Sequence, residues 1–466
     1  MAVGDLGEVT DVYEPHHDVV DAEIASNATG QRTLGFVERT ESGFDIKVAT
    51  SSSMTGAWSS FEIIAQIPSG SNDPDIEVSL GANQVSTVIF TDADREIIWG
   101  SWRSASNPEW ETPVTLSTGL STILHLDVGP LATSAFISFR GYDTVTGSNR
   151  AFAIDWYQTV ATTPTVVDVS STNTKHVTEV LQVTDGDDDA MIVWLQDAVA
   201  STTDTVWGNI WDGSTWLGLQ QLSTSTGATA VSTLAIGHAQ NRMIVGWWEA
   251  NTTIVADYFD PSADTWNTGT ITLQSGLVST GVTKDLLILA DPTQPNGIVA
   301  WTEKDGVTIR HRGLISGSSG PGSPFWISNA TDSVFNSTGG MRDNGMVGAM
   351  ESDGDATVMW RYLGYETTVI RFTRTGAGSG TWGAEATYGG TVGYKVDGHG
   401  TFGVTGGADS QTMWVLAGQS SVKALGTSTW SGTSPTTPSL LTDASTLDSG
   451  ENFILGVTPT GNSLAV

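Results

Sequence analysis

Aromatic residues recur along this chain at a nearly constant interval, and this recurrence restricts its fold more than any other feature. Each of a series of short apolar segments carries one aromatic residue, and consecutive members lie 54, 49, 55, 53, 54, 59 and 54 residues apart. The members are Phe36, Phe90, Phe139, Trp194, Trp247, Trp301, Trp360 and Trp414. A fixed period of this kind indicates an internal repeat in which every unit is one supersecondary structure.

A second series of tryptophans follows short polar turns and has the same period. Its members are Trp58, Trp110, Trp216, Trp266, Trp326, Trp382 and Trp430. The intervals are 52, 106, 50, 60, 56 and 48 residues, and 106 is two periods with one member missing. The turn near residues 156–165 has no tryptophan after it. Large flat rings at repeated turns predict side chains that cover the contact between neighbouring units.

Each repeat contains about four short segments that have the composition of strands and are bounded by Gly, Asp, Asn, Ser or Thr. In the fourth repeat these segments are VTEVLQV, AMIVWLQ, TVWGNIW and WLGLQQL. No helical periodicity of useful length lies between them. The sequence therefore predicts an all-β fold, a β-propeller of about eight four-stranded antiparallel blades, with seven to nine compatible with the pattern.

The whole chain, residues 1–466, is predicted to be a single propeller domain. The predicted repeats are residues 16–70, 71–119, 120–172, 173–225, 226–278, 279–335, 336–390 and 391–445. Residues 7–12 have the pattern of a fourth strand, and residues 452–466 that of a first strand and the start of a second. Both terminal segments are expected to close the ring, as a split ninth blade or at the edge of an eight-bladed ring.

The turn WDGSTW, residues 211–216, resembles the Asp-box of sialidase-like propellers, whose pattern is S-x-D-x-G-x-T-W. Asp212, Gly213, Thr215 and Trp216 match in order, whereas DPSADTW and GSGTW are degenerate copies. The resemblance implies that the box stabilises the turn between third and fourth strands and is not catalytic.

The same resemblance implies, for an active sialidase, an arginine triad, a Tyr–Glu nucleophile pair and an Asp acid/base. No arginine of this chain lies in the sequence context of the family's first active-site arginine. Arg32, Arg140, Arg310 and Arg361 are therefore interpreted as strand or loop residues that balance nearby acids, with carboxylate recognition as the alternative.

Acidic side chains outnumber basic ones by 51 to 19, which gives a formal net charge of −32. Such a surface repels itself at low salt, and the repulsion is screened once the Debye length falls to about 3 Å at high ionic strength. The composition favours a saline, halophilic setting, with an acidic protein selected for solubility as the alternative. Nucleic acid is not expected as a partner, because no basic surface is available to neutralise phosphates.

The N-terminus MAVGDLGEVTDVYEPHHD lacks the basic start and apolar run of a signal peptide, so assembly in the cytoplasm is expected. No apolar run is long enough to insert into a membrane. The chain has no cysteine, which excludes disulfides and thiolate metal sites.

Alternate acids occur in the turn TDGDDDA, where Asp185, Asp187 and Asp189 can direct oxygen atoms at one hard cation. Ca2+ is therefore the metal that the sequence suggests, although the glycine and the distal glutamate of a full calcium loop are missing. The alternative is a solvated acidic turn. No other cofactor is predicted, because the histidines show no zinc spacing.

Acids of one parity also occur on the predicted first strands, as in Asp21 with Glu23 and Asp75 with Glu77. Residues of one parity on a strand point to one side. His125 and Asp127 share a parity in the same way. If first strands line the axis of the propeller, the axis is acidic in at least three blades; the alternative is a by-product of the overall acidity.

The first function that the sequence suggests is a virion structural or surface protein, such as a spike, fibre head or capsid decoration. A rigid, disulfide-free β-protein without a catalytic motif is similar in style to propeller modules of tailed viruses. This interpretation implies attachment to a host surface, other virion proteins as partners, a homo-oligomer, and assembly in the host cytoplasm. An extracellular location is the alternative.

A lectin-like, carbohydrate-binding propeller is the alternative function, with a host glycan or glycoprotein as partner. Aromatic rings beside Asp and Asn in blade-edge loops can stack on sugars. The candidates are Trp102, Tyr142, Trp211 and Trp248, each of which also suits packing between units.

A sialidase-like glycoside hydrolase is the third function. It requires two carboxylates about 5–10 Å apart, and no pair stands out from the sequence. No catalytic residue is assigned, and the chain is predicted not to be an enzyme.

Overall fold

The described strands form eight sheets of four or five strands and a ninth of two, and every strand pair is antiparallel. The computed structural model describes residues 19–302 except 28, 30, 53–57, 118, 158–165, 171–175, 186, 199–200, 224–231, 240–241, 250–251, 268, 276–285 and 291–295. Beyond residue 302 it describes the strands alone, and side chains are described as far as Trp301. In this part of the chain no helix is long and apolar enough to cross a membrane.

The first four sheets each contain four strands. Sheet 1 consists of β1 (Val19–Ser26), β2 (Arg32–Thr40), β3 (Gly43–Ser51) and β4 (Glu62–Pro68). Sheet 2 consists of β5 (Ile76–Leu80), β6 (Ser86–Thr91), β7 (Ile98–Arg103) and β8 (Val114–Ser117). Sheet 3 consists of β9 (Ser121–Pro130), β10 (Ala135–Asp143), β11 (Ser148–Trp156) and β12 (Val167–Asp168). Sheet 4 consists of β13 (His176–Thr184), β14 (Asp189–Ala198), β15 (Ser201–Asp212) and β16 (Gln220–Gln221).

The later sheets follow the same plan, and three of them divide the outermost strand in two. Sheet 5 consists of β17 (Ser232–Ala239), β18 (Arg242–Glu249), β19 (Thr253–Asp260), β20 (Thr265–Trp266) and β21 (Ile271–Gln274). Sheet 6 consists of β22 (Leu286–Ala290), β23 (Asn296–Thr302), β24 (Ile309–Ser316) and β25 (Pro324–Ile327). Sheet 7 consists of β26 (Met346–Met350), β27 (Ala356–Tyr362), β28 (Glu366–Arg374), β29 (Gly380–Trp382) and β30 (Ala386–Tyr388).

Sheet 8 consists of β31 (Tyr394–Val396), β32 (Gln411–Gly418), β33 (Lys423–Ser431), β34 (Ser434–Pro435) and β35 (Ser439–Leu440). The last two strands, β36 (Leu455–Val457) and β37 (Ser463–Ala465), pair with each other. The strand bounds of the eight larger sheets lie inside the eight predicted repeat ranges. The assignment of the whole chain to one domain stays a prediction.

Consecutive strands are neighbours within each sheet, so every sheet is a meander. From sheet 1 to sheet 7 the first strand of each sheet lies against the first strand of the next, as β1 lies against β5 and β5 against β9. Small antiparallel sheets repeated side by side about their first strands form a β-propeller, which confirms the predicted fold class. Strand β36 lies beside β1, while the predicted strand at residues 7–12 falls outside the described residues. Ring closure and the final blade number stay predictions.

The hydrophobic core consists of successive clusters, each shared by two consecutive sheets. The cluster between sheets 1 and 2 contains Phe90, that between 2 and 3 contains Phe139, and that between 3 and 4 contains Trp194. Trp247 and Trp301 occupy the next two clusters. These aromatic side chains lie on second strands and are at most 1% exposed. Each therefore packs against the preceding sheet.

The turn tryptophans pack against the same seams. Trp110 lies against the core between sheets 1 and 2, Trp216 against that between 3 and 4, and Trp266 against that between 4 and 5. Between sheets 2 and 3, where the series lacks a member, Trp156 at the end of β11 belongs to the cluster and is 3% exposed. A strand residue thus fills the place that the missing turn tryptophan would occupy.

Two glycines at equivalent positions make room for these rings. A Cβ atom on Gly100 of β7 would lie 2.6 Å from Cζ3 of Trp156, and one on Gly208 of β15 would lie 3.0 Å from Cη2 of Trp266. Real Cβ atoms almost never lie closer than 3.0 Å to another atom. The third strand of each of these sheets thus has a glycine where the next sheet inserts its indole, and the closer contact is at Gly100.

The turns between first and second strands link neighbouring sheets at one end of the fold, which we call the first-turn end. Asn27 Nδ2 donates to the carbonyl oxygen of Gly81 at 3.4 Å, and Asn83 Nδ2 donates to that of Ala132 at 2.9 Å. The amide of Ala132 in turn donates to the carbonyl oxygen of Asp187. Each turn thus contacts the equivalent turn of the next sheet. Because strands are antiparallel, the turns between third and fourth strands lie at the same end.

Candidate functional site

The four aromatic residues predicted to bind sugars occupy different environments. Trp248 is 2% exposed and belongs to the core between sheets 5 and 6, so its prediction as a glycan-binding residue is wrong. Two adjacent tryptophans on β18 face opposite sides of the sheet, and both sides are buried here. Trp102 is half-buried against the core between sheets 2 and 3. Tyr142 and Trp211 are half-buried at the ends of β10 and β15.

The turn after β15 has the hydrogen bonding expected of an Asp-box. Oδ1 of Asp212 accepts from the amides of Ser214 at 2.9 Å and Thr215 at 2.7 Å, and from the Ser214 hydroxyl at 2.8 Å. Thr215 Oγ1 donates to Oδ2 of the same carboxylate at 3.1 Å. Although burial raises the pKa of Asp212, these donors lower it below its usual range. The carboxylate stabilises the turn, as the resemblance implied.

The backbone of this turn fixes the position of its tryptophans. Gly213 has φ +80, the left-handed region that favours glycine, and a Cβ there would lie 2.7 Å from Cβ of Asp188. Trp211 and Trp216 form an isolated bridge, with ring centroids 5.6 Å apart. The Trp216 ring also lies 5.9 Å from that of Phe136 in sheet 3. The turn therefore places two indoles at the seam between sheets 3 and 4, at the first-turn end.

Sheet 3 contributes a tyrosine and a carboxylate to the same seam. Tyr157 follows Trp156 at the end of β11 and is 42% exposed, while Asp155 pairs in register with Phe136. The hydroxyls of Ser134 and Tyr157 hydrogen-bond to the Asp155 carboxylate. The negative charge of Asp155 is the largest cause that raises the pKa of Tyr157, and Asp188 adds to it.

We call Asp155, Tyr157, Asp188, Trp211 and Trp216 the aromatic rim. It combines ring faces with carboxylates where two sheets meet, and the neighbouring Leu217 is 41% exposed.

Two polar atoms of the aromatic rim lack partners within the described part of the chain. Oδ1 of Asp155 and Nε1 of Trp211 are both buried without a hydrogen bond. Burial is the largest effect on Asp155 and raises the pKa of its carboxyl group. An unsatisfied buried polar atom costs about 1–3 kcal/mol, and Nε1 of Trp247 and Trp301 is in the same state at other seams.

The predicted calcium ligands lie at the turn between β13 and β14, and the Asp185 carboxylate hydrogen-bonds to its backbone. Oδ1 of Asp185 accepts from the amides of Asp187 at 2.8 Å and Asp189 at 3.1 Å, and Asp187 is exposed. Burial, followed by the charge of Asp185, raises the pKa of Asp189 to about 6. Within the described residues no three His, Asp or Glu side chains are grouped to hold a metal ion. Calcium binding by Asp185, Asp187 and Asp189 stays a prediction.

The acidic first strands lie next to one another. Asp21 Oδ2 accepts from the amide of Ile76 in the next sheet at 2.9 Å, and Glu179 accepts from the amide of Leu234, also 55 residues further on. These carboxylates link consecutive sheets. Ile76 and Leu234 occupy equivalent positions in their sheets. Ile76 pairs with Phe90 and Leu234 pairs with Trp247, and both partners belong to the first aromatic series.

A second row of carboxylates, Glu23, Glu77 and Asp127, occupies the first strands of sheets 1 to 3. Burial raises the pKa of Glu77 to about 10, with further contributions from Glu23 and Asp127, and burial raises the pKa of Glu23 to about 7. At neutral pH Glu77 therefore carries a proton. The equivalent positions of the next two sheets are Leu181 and Ala235. Among the side chains described in sheets 1 to 5, this row of carboxylates therefore ends at sheet 3.

The arginines considered for a sialidase site do not come together. Arg32 lies at the start of β2 with its guanidinium 4.7 Å from the Trp58 ring, and Arg140 lies on β10 and donates to the Thr178 carbonyl oxygen at 2.6 Å. The two belong to sheets 1 and 3. The side chains of Arg310 and Arg361 fall outside the described residues.

Sequence reasoning missed Tyr157 and Asp155. The signal was present in DWY, residues 155–157, directly before the turn that lacks a tryptophan. A strand that ends in two aromatic residues, where the repeat pattern places only one, indicates that the second is available for another role. Asp188 was also missed, because it lies between Asp187 and Asp189 and is not part of the alternate spacing that they form with Asp185.

Comparison with known proteins gives matches at the level of structure only. No protein-family model and no curated protein sequence matches the chain. A prolyl endopeptidase structure has a TM-score of 0.41 at 9% identity over 88% of this chain, and the chain spans about half, 54%, of that protein. A Hadza microbial sialidase has a TM-score of 0.33 at 11% identity, with 61% of this chain and 62% of that one covered. The six-bladed β-propeller lectin of Aleuria aurantia has a TM-score of 0.31 at 13% identity, with 67% and 94% covered.

Proposed function

We propose that the protein is a carbohydrate-binding propeller and that the aromatic rim between sheets 3 and 4 binds the sugar. The observation that carries this proposal is the exposed ring of Tyr157, 42% accessible, beside the carboxylates of Asp155 and Asp188. An aromatic face next to hydrogen-bond acceptors matches the two chemistries of a sugar ring, an apolar C–H face and a rim of hydroxyl groups.

Each residue of the rim has a distinct part in this proposal. The Tyr157 ring stacks on the apolar face of one sugar unit, and the exposed Asp188 carboxylate accepts from its hydroxyls. Trp211 and Trp216 support the site from sheet 4, where the Asp212 turn holds them. Because these side chains are positioned by strands and a hydrogen-bonded turn, little side-chain entropy is lost on binding.

A glycan array probed with the full-length protein tests the proposal, followed by titration of the best glycan. Tyr157→Ala is expected to weaken binding about five- to thirtyfold, since loss of a stacking ring costs roughly 1–2 kcal/mol. Tyr142→Ala is the comparison variant, because Tyr142 is also a candidate sugar-binding ring but lies half-buried at the opposite end of sheet 3. Its substitution is expected to leave binding at the rim unchanged. Equal affinity of both variants, or no glycan bound by the unmodified protein, contradicts the proposal.

The role on a virion surface remains a proposal of the sequence, together with the homo-oligomer and the attachment to a host. A sugar-binding rim suits that role, since an attachment protein needs a binding surface and no reaction. We propose binding without cleavage, because Arg32 and Arg140 lie in separate sheets and the Asp212 carboxylate is engaged in its turn.

A further inference from the structure

We infer that the aromatic rim selects a sugar that bears a free amino group, such as a unit of a glucosamine oligomer, over neutral and acidic sugars. The inference rests on the proposed function and names the class of glycan that the site takes.

The first argument is the sign of the charge around Tyr157. The carboxylates of Asp155 and Asp188 both raise the pKa of the Tyr157 hydroxyl, and Asp188 also raises that of Asp155. Asp188 also adjoins Gly213 of the Asp212 turn. The field at the rim is therefore negative from both sheets. A carboxylated or sulfated sugar would meet repulsion there, whereas an ammonium group would be attracted.

The second argument is the pairing of a ring face with carboxylates. An ammonium group is attracted by the face of an aromatic ring as well as by an anion, and protein sites for such cations combine both. Tyr157 supplies an exposed ring, and its hydroxyl is bonded to Asp155, which increases the electron density of the ring. A neutral sugar stacks on the ring and donates uncharged hydroxyl hydrogen bonds to Asp188, so it lacks the charge attraction.

The third argument is the excess of acceptors at the exposed part of the rim. Asp188 is exposed, and its carboxylate has two acceptor oxygens and no donor. The Asp155 carboxylate is already engaged with the hydroxyls of Ser134 and Tyr157, and its Oδ1 is buried, so it acts through its charge. An ammonium group has three donors and no acceptor, so it complements the rim better than a hydroxyl, which is both.

Isothermal titration of the full chain with three oligosaccharides tests the inference: a glucosamine tetramer, its N-acetylated counterpart, and one that ends in sialic acid. At mildly acidic pH and low salt, the amine-bearing tetramer is expected to bind about fivefold more tightly than the N-acetylated one. Asp188→Asn is expected to abolish this preference. Asp187→Asn is the matched control, because Asp187 is the adjacent exposed acid and its substitution removes the same charge.

Each outcome has a defined meaning. Equal affinity for the amine-bearing and N-acetylated tetramers, with both weakened by Tyr157→Ala, overturns the inference and leaves the proposed function standing. Tightest binding of the sialylated sugar overturns the inference in the same way. Absence of binding by all three, and by every glycan of the array, overturns both. A preference lost equally in Asp187→Asn and Asp188→Asn also overturns the inference, since it reports overall charge and not contact at the rim.

Discussion

Substitution of Gly100 by alanine tests the packing between sheets most directly. The new methyl group would lie 2.6 and 2.7 Å from Cζ3 and Cη2 of Trp156 and 2.7 Å from Cδ1 of Leu116. All three atoms belong to the buried core between sheets 2 and 3. Because Trp156 is 3% exposed, its ring has no open space into which it can turn.

The expected cost follows from two opposing terms. Overpacking of a filled core costs about 1–3 kcal/mol. Alanine also reduces the freedom of the unfolded chain, which returns about 0.4–1 kcal/mol. The net loss of unfolding free energy is therefore about 1–2 kcal/mol. At the equivalent Gly208 the nearest ring atoms are 3.0 Å away, so a shift of a few tenths of an ångström relieves the contact. Gly208→Ala is expected to be close to neutral.

The assay is guanidinium unfolding followed by circular dichroism, with hydrogen exchange of β7 and β11 as a local readout. Trp156→Phe removes the two ring atoms that clash and is expected to restore part of the stability lost in Gly100→Ala. The double-mutant cycle should then show a favourable coupling of about 1 kcal/mol. Wild-type stability of Gly100→Ala, equal losses for both glycine variants, or strict additivity would each refute the seam packing described above.

Three further predictions concern charge and turns. Because burial raises the pKa of Glu77 to about 10, the folded state holds its proton more tightly than the unfolded chain, so stability falls as pH rises from the ordinary glutamate range towards 10. Glu77→Gln is expected to flatten the fall of melting temperature between mildly acidic and alkaline pH, and a slope equal to that of the wild type contradicts this. Asp212→Ala is expected to cost about 1–2 kcal/mol of unfolding free energy through loss of its turn hydrogen bonds. The same change at Asp260 should cost less, because within the described residues its carboxylate accepts from Ser262 alone; calorimetry of both variants decides. With a net charge of −32, the melting temperature should rise with sodium chloride and equally with potassium chloride; a fall, or a strong dependence on the cation, counts against screening as the cause.

The repeat could be predicted from the sequence because equivalent residues of successive propeller sheets have the same surroundings. Phe90, Phe139, Trp194 and Trp247 stand at the same position of successive second strands, and each must fill the same space against the preceding sheet. A period in sequence therefore translates directly into a period in space. The residue that replaces the missing turn tryptophan could not be predicted in this way. Trp156 reaches the same seam from a strand, and no local pattern predicts such a substitution between elements.

The candidate site was less predictable than the fold. Glycan binding by Trp102, Tyr142 and Trp211 stays a prediction, whereas Trp248 lies in the core. The sequence did not separate them, because aromatic residues that face a seam and those that face solvent have the same local sequence. The sequence did not predict a role for Tyr157, because that role depends on Asp155 of sheet 3 and Asp188 of sheet 4, which both act on it in the folded chain. Contacts between repeats depend on how the sheets are stacked, and a single sequence does not specify this stacking.

The carboxylates that accept from Ile76 and Leu234 have a consequence for association between copies of the chain. An unpaired strand edge is a template on which another chain can add a strand, and proteins avoid this by occupying or charging the edge. Asp21 and Glu179 occupy amides on the inner edges of β5 and β17. At the outer edge, the seven-residue strand β4 instead presents Ile63 with 53% exposure. Aggregation of the folded protein should accordingly start at the periphery of sheet 1 and not at the hub.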